Sequence, residues 1–332
     1  MTTQNLLVSV MTPVYNGEAY LAECIESVLN QSYRNFEYII VNNHSSDRTL
    51  EIAEKYAKLD SRIRIRTNDR LVPVMENHNI GLNLISPESA YCKVVCADDM
   101  IFPTCIEKLV RCGEENPGVG LVGCYQQSGN RVRWQGFPYP KAVFPGHELC
   151  RKILLGGEPE FGFGCPTSLL YRAALVRQVA EFYPNPSPHS DTSVCFRDLR
   201  NSDFGFVYEV LCYERTHEET ETTRSRGLNR YVSAYLSDVI EYGPAYLDSE
   251  ELERVLKREL NRYHRFLAAR RLFGLEGKEF WQYHRKRLQE LGYPLRGLWF
   301  PKAALRTLIR EVLSPLQEIR KLRRLISSGQ PN

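Results

Sequence analysis

The sequence lacks several features that would place it in a well-defined class. It has no run of about 18 uncharged apolar residues, so no segment is predicted to span a membrane. The turn after its first apolar run reads TPVYNG and not Gly-x-Gly-x-x-Gly, which excludes a dinucleotide-binding dehydrogenase. The Gly-rich, Arg- and Lys-bearing first loop of a nucleotidyltransferase is missing too. No second cysteine pair stands at zinc spacing from Cys92 and Cys96, so buried thiols are predicted there.

What the chain does have is enough apolar residue content for a sizeable core. It has 332 residues, of which 43% are hydrophobic, so one large or two ordinary domains are expected to fold without disulfides. The ten cysteines mostly sit in apolar runs and no secretory signal is recognised, so we expect reduced thiols and a cytoplasmic location.

Charge is distributed unevenly along the chain. Residues 251–332 hold 19 Lys and Arg against 8 Glu and no Asp, a net +11, whereas residues 1–250 hold 24 basic and 32 acidic residues, a net −8. A basic segment can face phosphate or anionic lipid, and the alternative is an ordinary solvated helical face. No recognised nucleic-acid module is present, so no nucleic-acid partner is expected.

The first 125 residues repeat a short apolar run, a polar loop and a segment with helical periodicity. Such alternation predicts an α/β fold, with a mostly parallel central sheet flanked by helices. Predicted strands cover residues 6–11, 36–41, about 63–65 and 91–97, and Asn16 is a plausible N-cap of the first helix. Because ligands of open α/β sheets bind at the carboxyl ends of strands, the loops at 12–17, 42–47 and 98–99 are the candidate site.

The alternation of apolar runs and helical segments ends at about residue 125. The Gly- and Pro-rich stretches that follow predict loops beside a cleft. From Asp248 the pattern is helical again, and Asp248 with Glu251 resembles a capping box. We therefore predict one domain over 1–225, with a regular α/β half at 1–125 and an irregular half at 126–225. A helical, basic C-terminal extension is predicted over 226–332.

Asp98 and Asp99 are adjacent carboxylates with no neighbouring lysine. Like charges repel, and hard divalent cations prefer oxygen ligands, so the pair predicts a site for Mg²⁺ or Mn²⁺ that also holds a substrate diphosphate. The competing interpretation is that the pair caps the helix that begins near Pro103.

Three stretches in order resemble a known family: VSVMTPVYNGEAYLAECIESVLNQSYRNFEYIIVNNHSSDRT, NHNIGL and YCKVVCADDMIFP. They are similar to the family 2 inverting glycosyltransferases, densely over residues 7–125 and more weakly to about 220. The resemblance implies that residues 1–225 form a catalytic domain with a glycosyltransferase A-type fold. Its Rossmann-like, nucleotide-sugar-binding half would be 1–125 and its acceptor-side half 126–225.

The resemblance implies a donor pocket lined by Thr12, Pro13 and Tyr15, with Glu18 facing it. Where the family has an acidic residue for base or ribose, this chain has Asn43, whose amide can accept a base N–H. An Asx-turn role for Asn43, and an ordinary first-turn role for Glu18, are the structural alternatives.

The resemblance also assigns the metal and the catalytic base. Asp99 becomes a metal ligand and Asp98 a ribose or metal partner, although Cys96 replaces an aspartate found in many members. Asp191 becomes the base that deprotonates the acceptor hydroxyl, with an N-cap role as the alternative. His217 is a second metal ligand, with a solvated loop histidine as the alternative, and Arg215 is placed near phosphate.

Two acceptor-side features follow. Phe161 or Phe163 can stack on an acceptor sugar or belong to the core. The final segment carries an apolar stripe flanked by arginines, with Trp299 and Phe300 upstream, and such a helix either lies on an anionic membrane or packs on protein. The stripe comprises Leu305, Leu308, Ile309, Val312, Leu316 and Ile319.

Together these features predict a metal-assisted hexosyltransferase-like enzyme. It would move a sugar from a nucleotide-diphospho-sugar to a sugar, lipid-linked glycan or protein acceptor with inversion, in polysaccharide, lipopolysaccharide or glycoprotein glycan assembly. A cytoplasmic, membrane-peripheral location is expected. The alternative is a non-catalytic scaffold that keeps the fold and binds a sugar nucleotide.

Overall fold

The computed structural model of the protein describes residues 6–157, 162–183, 189–215, 228–272, 274, 276–296, 300, 301 and 304. The chain divides into two compact units. The first comprises residues 1–224 with 242–247, and the second comprises residues 225–241 with 248–332. No helix within the described ranges is both long enough and apolar enough to cross a bilayer.

A ten-stranded sheet organises the described part of the first unit. Its main order is β3-β2-β1-β4-β9-β6-β10-β5, with β7 paired to β6 and β8 paired to β10. Strands β1 to β4 are parallel, and β9 is antiparallel to both β4 and β6. The strands are β1 Val8–Val14, β2 Phe36–Asn42, β3 Ile63–Thr67, β4 Tyr91–Val94, β5 Met100–Ile101, β6 Val119–Ser128, β7 Arg131–Arg133, β8 Val143–Phe144, β9 Leu169–Arg172 and β10 Asp203–Glu214.

Helices cover the sheet, as the predicted α/β class requires. Amphipathic α1 turns Leu21, Ile25 and Val28 into the core. The helices are α1 Leu21–Leu29, α2 Thr49–Leu59, α3 Val74–Leu82, α4 Cys105–Glu115, α5 Gly146–Leu154, α6 Ala173–Arg177, α7 Ser190–Asp198, α8 Tyr231–Tyr242, α9 Ser249–Leu272 and α10 Lys278–Glu290.

Helix α3 lies unusually close to the sheet at Gly81. A Cβ built at this position would lie 2.7 Å from Met11 Cγ and 2.9 Å from Val41 Cγ2. Only glycine leaves room for this contact without a shift of β1 or β2. The beginning of α3 lies near the carboxyl end of β2, because Val72, two residues before the helix, bonds to Asn43.

Three sequence predictions about element boundaries were wrong. Strand β1 runs over Val8–Val14 and not over residues 6–11, because its main chain stays in parallel register with β2 as far as Val14. Strand β4 ends at Val94 and not at residue 97, because the Asp99 N–H bonds to the Cys96 carbonyl at 2.9 Å and turns the chain. Helix α1 begins at Leu21 with Tyr20 as its N-cap, so Asn16 is not the cap. Asn16 has a positive φ of 48°, and its Oδ1 accepts the Ser46 N–H at 2.9 Å.

The second unit is helical over its described residues. The predicted capping box at the start of α9 is confirmed: Glu251 N–H donates to Asp248 Oδ1 at 2.8 Å, and Asp248 N–H to Glu251 Oε2 at 3.3 Å. Leu236 of α8, Tyr263 and Leu267 of α9, and Phe280 and Leu288 of α10 form its core.

Candidate active site

The Asp98–Asp99 turn lies where β4 leaves the sheet. Val95 N–H still donates to the Met11 carbonyl of β1 at 2.9 Å, and the chain then turns at residues 96–99. Asp99 is only 5% exposed, and Asp98 is half-buried. The turn therefore sits at the carboxyl end of the parallel strands, where open α/β sheets bind their ligands.

Both carboxylate oxygens of Asp99 accept hydrogen bonds. Thr167 Oγ1 donates to Oδ2 at 2.5 Å, and the Arg215 main-chain N–H donates to Oδ1 at 3.2 Å. Burial raises the pKa of Asp99 well above its usual range, and the charge of Asp98 raises it further. Helix α4 has Thr104 as its N-cap, so Asp99 does not cap that helix.

Arg215 joins this turn to the first turns of α1. Its Nε donates to the Asp98 carbonyl oxygen at 3.2 Å, and its Nη2 donates to Glu23 at 2.5 Å. The guanidinium also lies 4.6 Å from the centre of the Tyr20 ring. Arg215 therefore binds the main chain of the turn through Nε, and its guanidinium pairs with the Glu23 carboxylate through Nη2.

Asp191 lies in the first turn of α7 and is partly exposed; the N-cap of α7 is His189, so the N-cap alternative for Asp191 is wrong. Its Oδ1 accepts the Thr192 N–H at 2.8 Å. Three carboxylates of this region affect the pKa of the buried Cys165 thiol. Burial, followed by the charges of Asp99, Glu214 and Asp191, raises the pKa of Cys165 to about 12.

The two loops predicted to hold the donor are bonded to each other. Gly17 N–H donates to Thr49 Oγ1 at 2.7 Å, Glu18 N–H donates to Asp47 Oδ2 at 3.0 Å, and Arg48 N–H donates to Glu18 Oε2 at 3.1 Å. The Glu18 carboxylate therefore accepts a main-chain N–H at the amino end of α2. Tyr15 stands at the loop edge and is 41% exposed.

Thr12 and Pro13 are internal to β1. Thr12 is fully buried, and its hydroxyl lies 2.9 Å from the Tyr38 hydroxyl. Pro13 is also buried, in register with Val41 of β2. Of the three residues predicted from this segment to line the donor pocket, Tyr15 alone has a large exposed side chain.

Asn43 is 3% exposed, and its amide is used inside the protein. Its Nδ2 donates to the Val72 carbonyl at 2.8 Å, while its Oδ1 accepts the Val72 N–H and the Asn68 amide, both at 3.0 Å. The neighbouring Asn42 bonds within its own loop: its Oδ1 accepts the N–H of Ser45, three residues on, at 3.1 Å. Asn43 fixes the segment that precedes α3.

Other predicted residues fall in the core or outside the described residues. Phe163 is buried with its ring centre 5.2 Å from that of Phe196, so it is a core residue. His217, Phe161, Trp299 and the stripe at 305–319 lie outside the described residues.

A family model describing glycosyl transferase family 2 matches residues 9–179, which is more than half of the chain and includes the Asp98–Asp99 turn. The chain belongs to glycosyl transferase family 2. An uncharacterized glycosyltransferase of Haemophilus influenzae is 40% identical over 119 residues, and the glycosyltransferase EpsJ of Bacillus subtilis, also uncharacterized, is 37% identical over 129 residues. These matches cover 36% and 38% of this chain and 36% of each relative.

Solved structures share the family 2 fold. TarS 1–349 of S. aureus, in complex with UDP-GlcNAc, has a TM-score of 0.64 and 18% identity, and covers 86% of this chain and 80% of its own. A mannosyltransferase of Pyrobaculum calidifontis, in complex with GDP-Man and Mn²⁺, has a TM-score of 0.54 and 14% identity over 91% of this chain and 86% of its own. The predicted glycosyltransferase A-type fold is thereby confirmed.

The residues of this family 2 site suit a divalent cation that is shared with an anionic ligand. Asp99 is a buried carboxylate near the charges of Asp98 and Glu214, while the guanidinium of Arg215 bonds elsewhere. A divalent ion would offset this excess of negative charge. No group of three or more His, Cys, Asp or Glu side chains among the described residues could hold a metal ion alone.

Sequence reasoning missed Thr167 as the partner of Asp99 and Glu23 as the partner of Arg215. Thr167 is 68 residues from Asp99, and Glu23 is 192 residues from Arg215. Thr167 lies outside the stretches that carried the family resemblance, and Glu23 lies inside the first of them but was given no role. The one available signal was Thr167 itself, a polar residue two positions before the apolar run of β9.

Proposed function

We propose that this protein transfers a sugar from a nucleotide-diphospho-sugar to an acceptor hydroxyl, with inversion and with the help of Mn²⁺ or Mg²⁺. The observation that carries the proposal is the buried Asp99 carboxylate, which two hydrogen bonds hold at the carboxyl end of the parallel strands. The family supports the transferase class. The solved neighbours, which bind UDP-GlcNAc and GDP-Man, support a nucleotide-sugar donor.

In the proposed donor site, Asp98 and Asp99 hold the metal and the diphosphate, with His217 as a further candidate ligand. The bound cation would neutralise negative charge that develops on the departing diphosphate. Exposed Tyr15 is the best placed of the donor residues to contact the base. The other predicted donor residues would hold the segments around the pocket in place through the contacts described above; they are Thr12, Pro13, Glu18 and Asn43.

In the proposed transfer, Asp191 removes the proton of the acceptor hydroxyl. The acceptor oxygen attacks the anomeric carbon and forms the new glycosidic bond. The bond from that carbon to the diphosphate oxygen breaks on the opposite face, and its electron pair leaves with the nucleoside diphosphate. A carboxylate near the reacting carbon can accept the proton as the bond forms.

The setting of the reaction is part of the same proposal. We place it in polysaccharide, lipopolysaccharide or glycoprotein glycan assembly, in the cytoplasm, with a sugar, lipid-linked glycan or protein as acceptor. Residues 1–225 would form the catalytic domain. Residues 226–332 would form a basic extension that can reach an anionic membrane.

One observation favours a second candidate, a non-catalytic protein that binds a sugar nucleotide. The amide of Asn43 stands where the family has an acidic residue, and all of its described bonds are internal. The retained Asp98, Asp99 and Asp191 favour the enzyme.

Calorimetric titration of UDP, GDP and dTDP, with and without Mn²⁺, tests the proposal. We compare the wild type with Asp99→Asn, which loses the charge but can still accept the Thr167 hydroxyl. Asp60→Asn is the matched control, because Asp60 pairs with Arg62 just before β3, at the opposite end of the parallel strands. We expect Mn²⁺-dependent binding of one nucleotide, lost in Asp99→Asn and kept in Asp60→Asn. Folded protein that binds none of the three would refute the donor site. Binding without turnover of the matching nucleotide sugar would favour the non-catalytic candidate.

A further inference from the structure

Lys93 is a lysine in the interior of the sheet. It belongs to β4, pairs with Val10 of β1 and Leu170 of β9, and is 0% exposed. Burial of an ammonium group costs several kcal/mol, on the order of a lost core residue, unless oxygen atoms replace its water. Its retention at the centre of the sheet therefore calls for a specific set of acceptors.

Main-chain carbonyl oxygens supply those acceptors. Lys93 Nζ donates to the carbonyl of Thr167, and it lies 3.0 Å from the Leu169 oxygen, 3.3 Å from the Val94 oxygen and 3.4 Å from the Pro166 oxygen. Three of these four carbonyls belong to one short stretch, the 3-10 turn Pro166–Ser168 and the first residue of β9. An apolar side chain at position 93 would leave these oxygens buried without this donor.

The same turn presents Thr167 to the candidate metal site. The Thr167 hydroxyl accepts the Cys96 N–H at 3.1 Å and donates to Asp99 Oδ2 at 2.5 Å. Thr167 is thus bonded through its carbonyl to Lys93 and through its hydroxyl to Asp99. The path from the ammonium to the carboxylate passes through a single residue.

We propose that Lys93 is a positioning residue, whose ammonium holds the 166–169 turn so that the Thr167 hydroxyl orients Asp99 for the cation and the donor diphosphate. The inference rests on the proposed donor site at Asp99. Groups that orient a ligating carboxylate through a hydrogen bond affect metal affinity even though they do not touch the metal.

Lys93→Met removes the ammonium and keeps an unbranched side chain of similar length. Thr167→Val removes the hydroxyl at nearly constant shape, and Thr167→Ser restores it. Arg172→Met is the matched control, because Arg172 of the adjacent strand also donates to main-chain carbonyls, those of Val119 at 2.7 Å and Gly113 at 2.8 Å. Thr167 and Asp99 are not among these partners of Arg172.

The first measurement is amide hydrogen exchange of the protein without ligand. Lys93→Met should accelerate exchange at residues 95–100 and 162–170, because Cys96 N–H is bonded to Thr167. Arg172→Met should accelerate exchange near residues 113–121 instead. Unchanged exchange of both site segments in folded Lys93→Met would overturn the inference.

The second measurement is Mn²⁺ affinity, read as free Mn²⁺ by electron paramagnetic resonance in the presence of the nucleotide that the wild type binds. We expect Lys93→Met and Thr167→Val each to weaken Mn²⁺ binding by about tenfold or more. In the double variant, Lys93→Met should weaken Mn²⁺ binding little beyond the effect of Thr167→Val alone, because both changes act through the same Thr167 hydroxyl. Thr167→Ser and Arg172→Met should bind as the wild type does.

The two measurements separate this inference from the proposed function. If the wild type binds no Mn²⁺ with any of the three nucleotides, the metal site fails, while the exchange data still decide whether Lys93 holds the turn. If exchange rises but Mn²⁺ affinity is unchanged in both single variants, the link from Lys93 to Asp99 is wrong. Fully additive losses in the double variant would also contradict a path through Thr167.

Discussion

Mild acid should destabilise the second unit through one histidine. His284 of α10 is fully buried, its Nε2 lies 2.8 Å from the Leu228 carbonyl oxygen, and its Nδ1 lies 2.6 Å from the Tyr263 hydroxyl. A neutral ring satisfies both contacts, with Nε2–H donating to Leu228 and Nδ1 accepting from Tyr263. The ring also packs against Phe280, with the ring centres 4.2 Å apart.

The size of the effect follows from the pKa. Burial lowers the pKa of His284 from 6.5 to about 4, because the aromatic surroundings disfavour the charged ring. Above pH 6.5 the histidine is neutral in both the folded and the unfolded chain. Between pH 6.5 and 4 the unfolded chain alone takes up the proton, so stability falls with pH. At about 1.4 kcal/mol for each pKa unit, the loss should reach roughly 3 kcal/mol near pH 4 and then level off.

The assay compares denaturant unfolding of the wild type and His284→Gln from pH 8 to pH 3.5, followed by hydrogen exchange of peptides from residues 249–290. Glutamine can still donate to the Leu228 carbonyl but does not titrate in this range. We expect the variant to be less stable than the wild type at pH 8, and the gap to narrow by roughly 3 kcal/mol as the pH falls to 4. A gap that stays constant with pH would refute the assignment of this acid sensitivity to His284.

Two further predictions concern the site and the fold. Asp191→Asn should lower kcat by about 10²- to 10⁴-fold and leave the donor Kd unchanged, because a general base is lost. The rate is measured as transfer or as slow hydrolysis of the donor sugar nucleotide. A parallel loss of donor affinity would point to a structural role for Asp191. Gly81→Ala should lower the free energy of unfolding by about 1–3 kcal/mol, because its Cβ would overlap Met11 and Val41. Gly277→Ala is the control, since a Cβ there meets nothing within 4 Å and its φ is −83°; equal effects of the two changes would contradict the packing argument.

Much of the fold was predictable because its signals are local. The apolar run of β2 and the capping box of Asp248 and Glu251 each depend on residues close together in the chain, and the structure confirms both. The boundary of β4 was predicted less well. The run up to Ala97 is apolar apart from Lys93, whereas the strand ends where the Asp99 N–H turns back to the Cys96 carbonyl. Hydrophobicity does not report such a turn.

Some candidate site residues could be named from the sequence, but their contacts could not. Asn43 and Glu18 were placed in a donor pocket by resemblance, whereas the structure shows that their side chains bond to Val72 and to Arg48 respectively. The predicted roles of Asp99, Asp191 and His217 stay predictions, and His217 lies outside the described residues.

The sequence by itself determined the α/β class, the order of the first strands and helices, the family, and the acidic pair at the end of β4. Each of these features depends on residues that are close together in the chain, through their periodicity, a helix cap or a motif. The tertiary structure alone decided that Lys93 is buried, that Thr167 holds Asp99, and that Arg215 joins the turn to α1. Those contacts depend on strand register and on loops that meet across many residues of chain, and a local pattern carries no information about either.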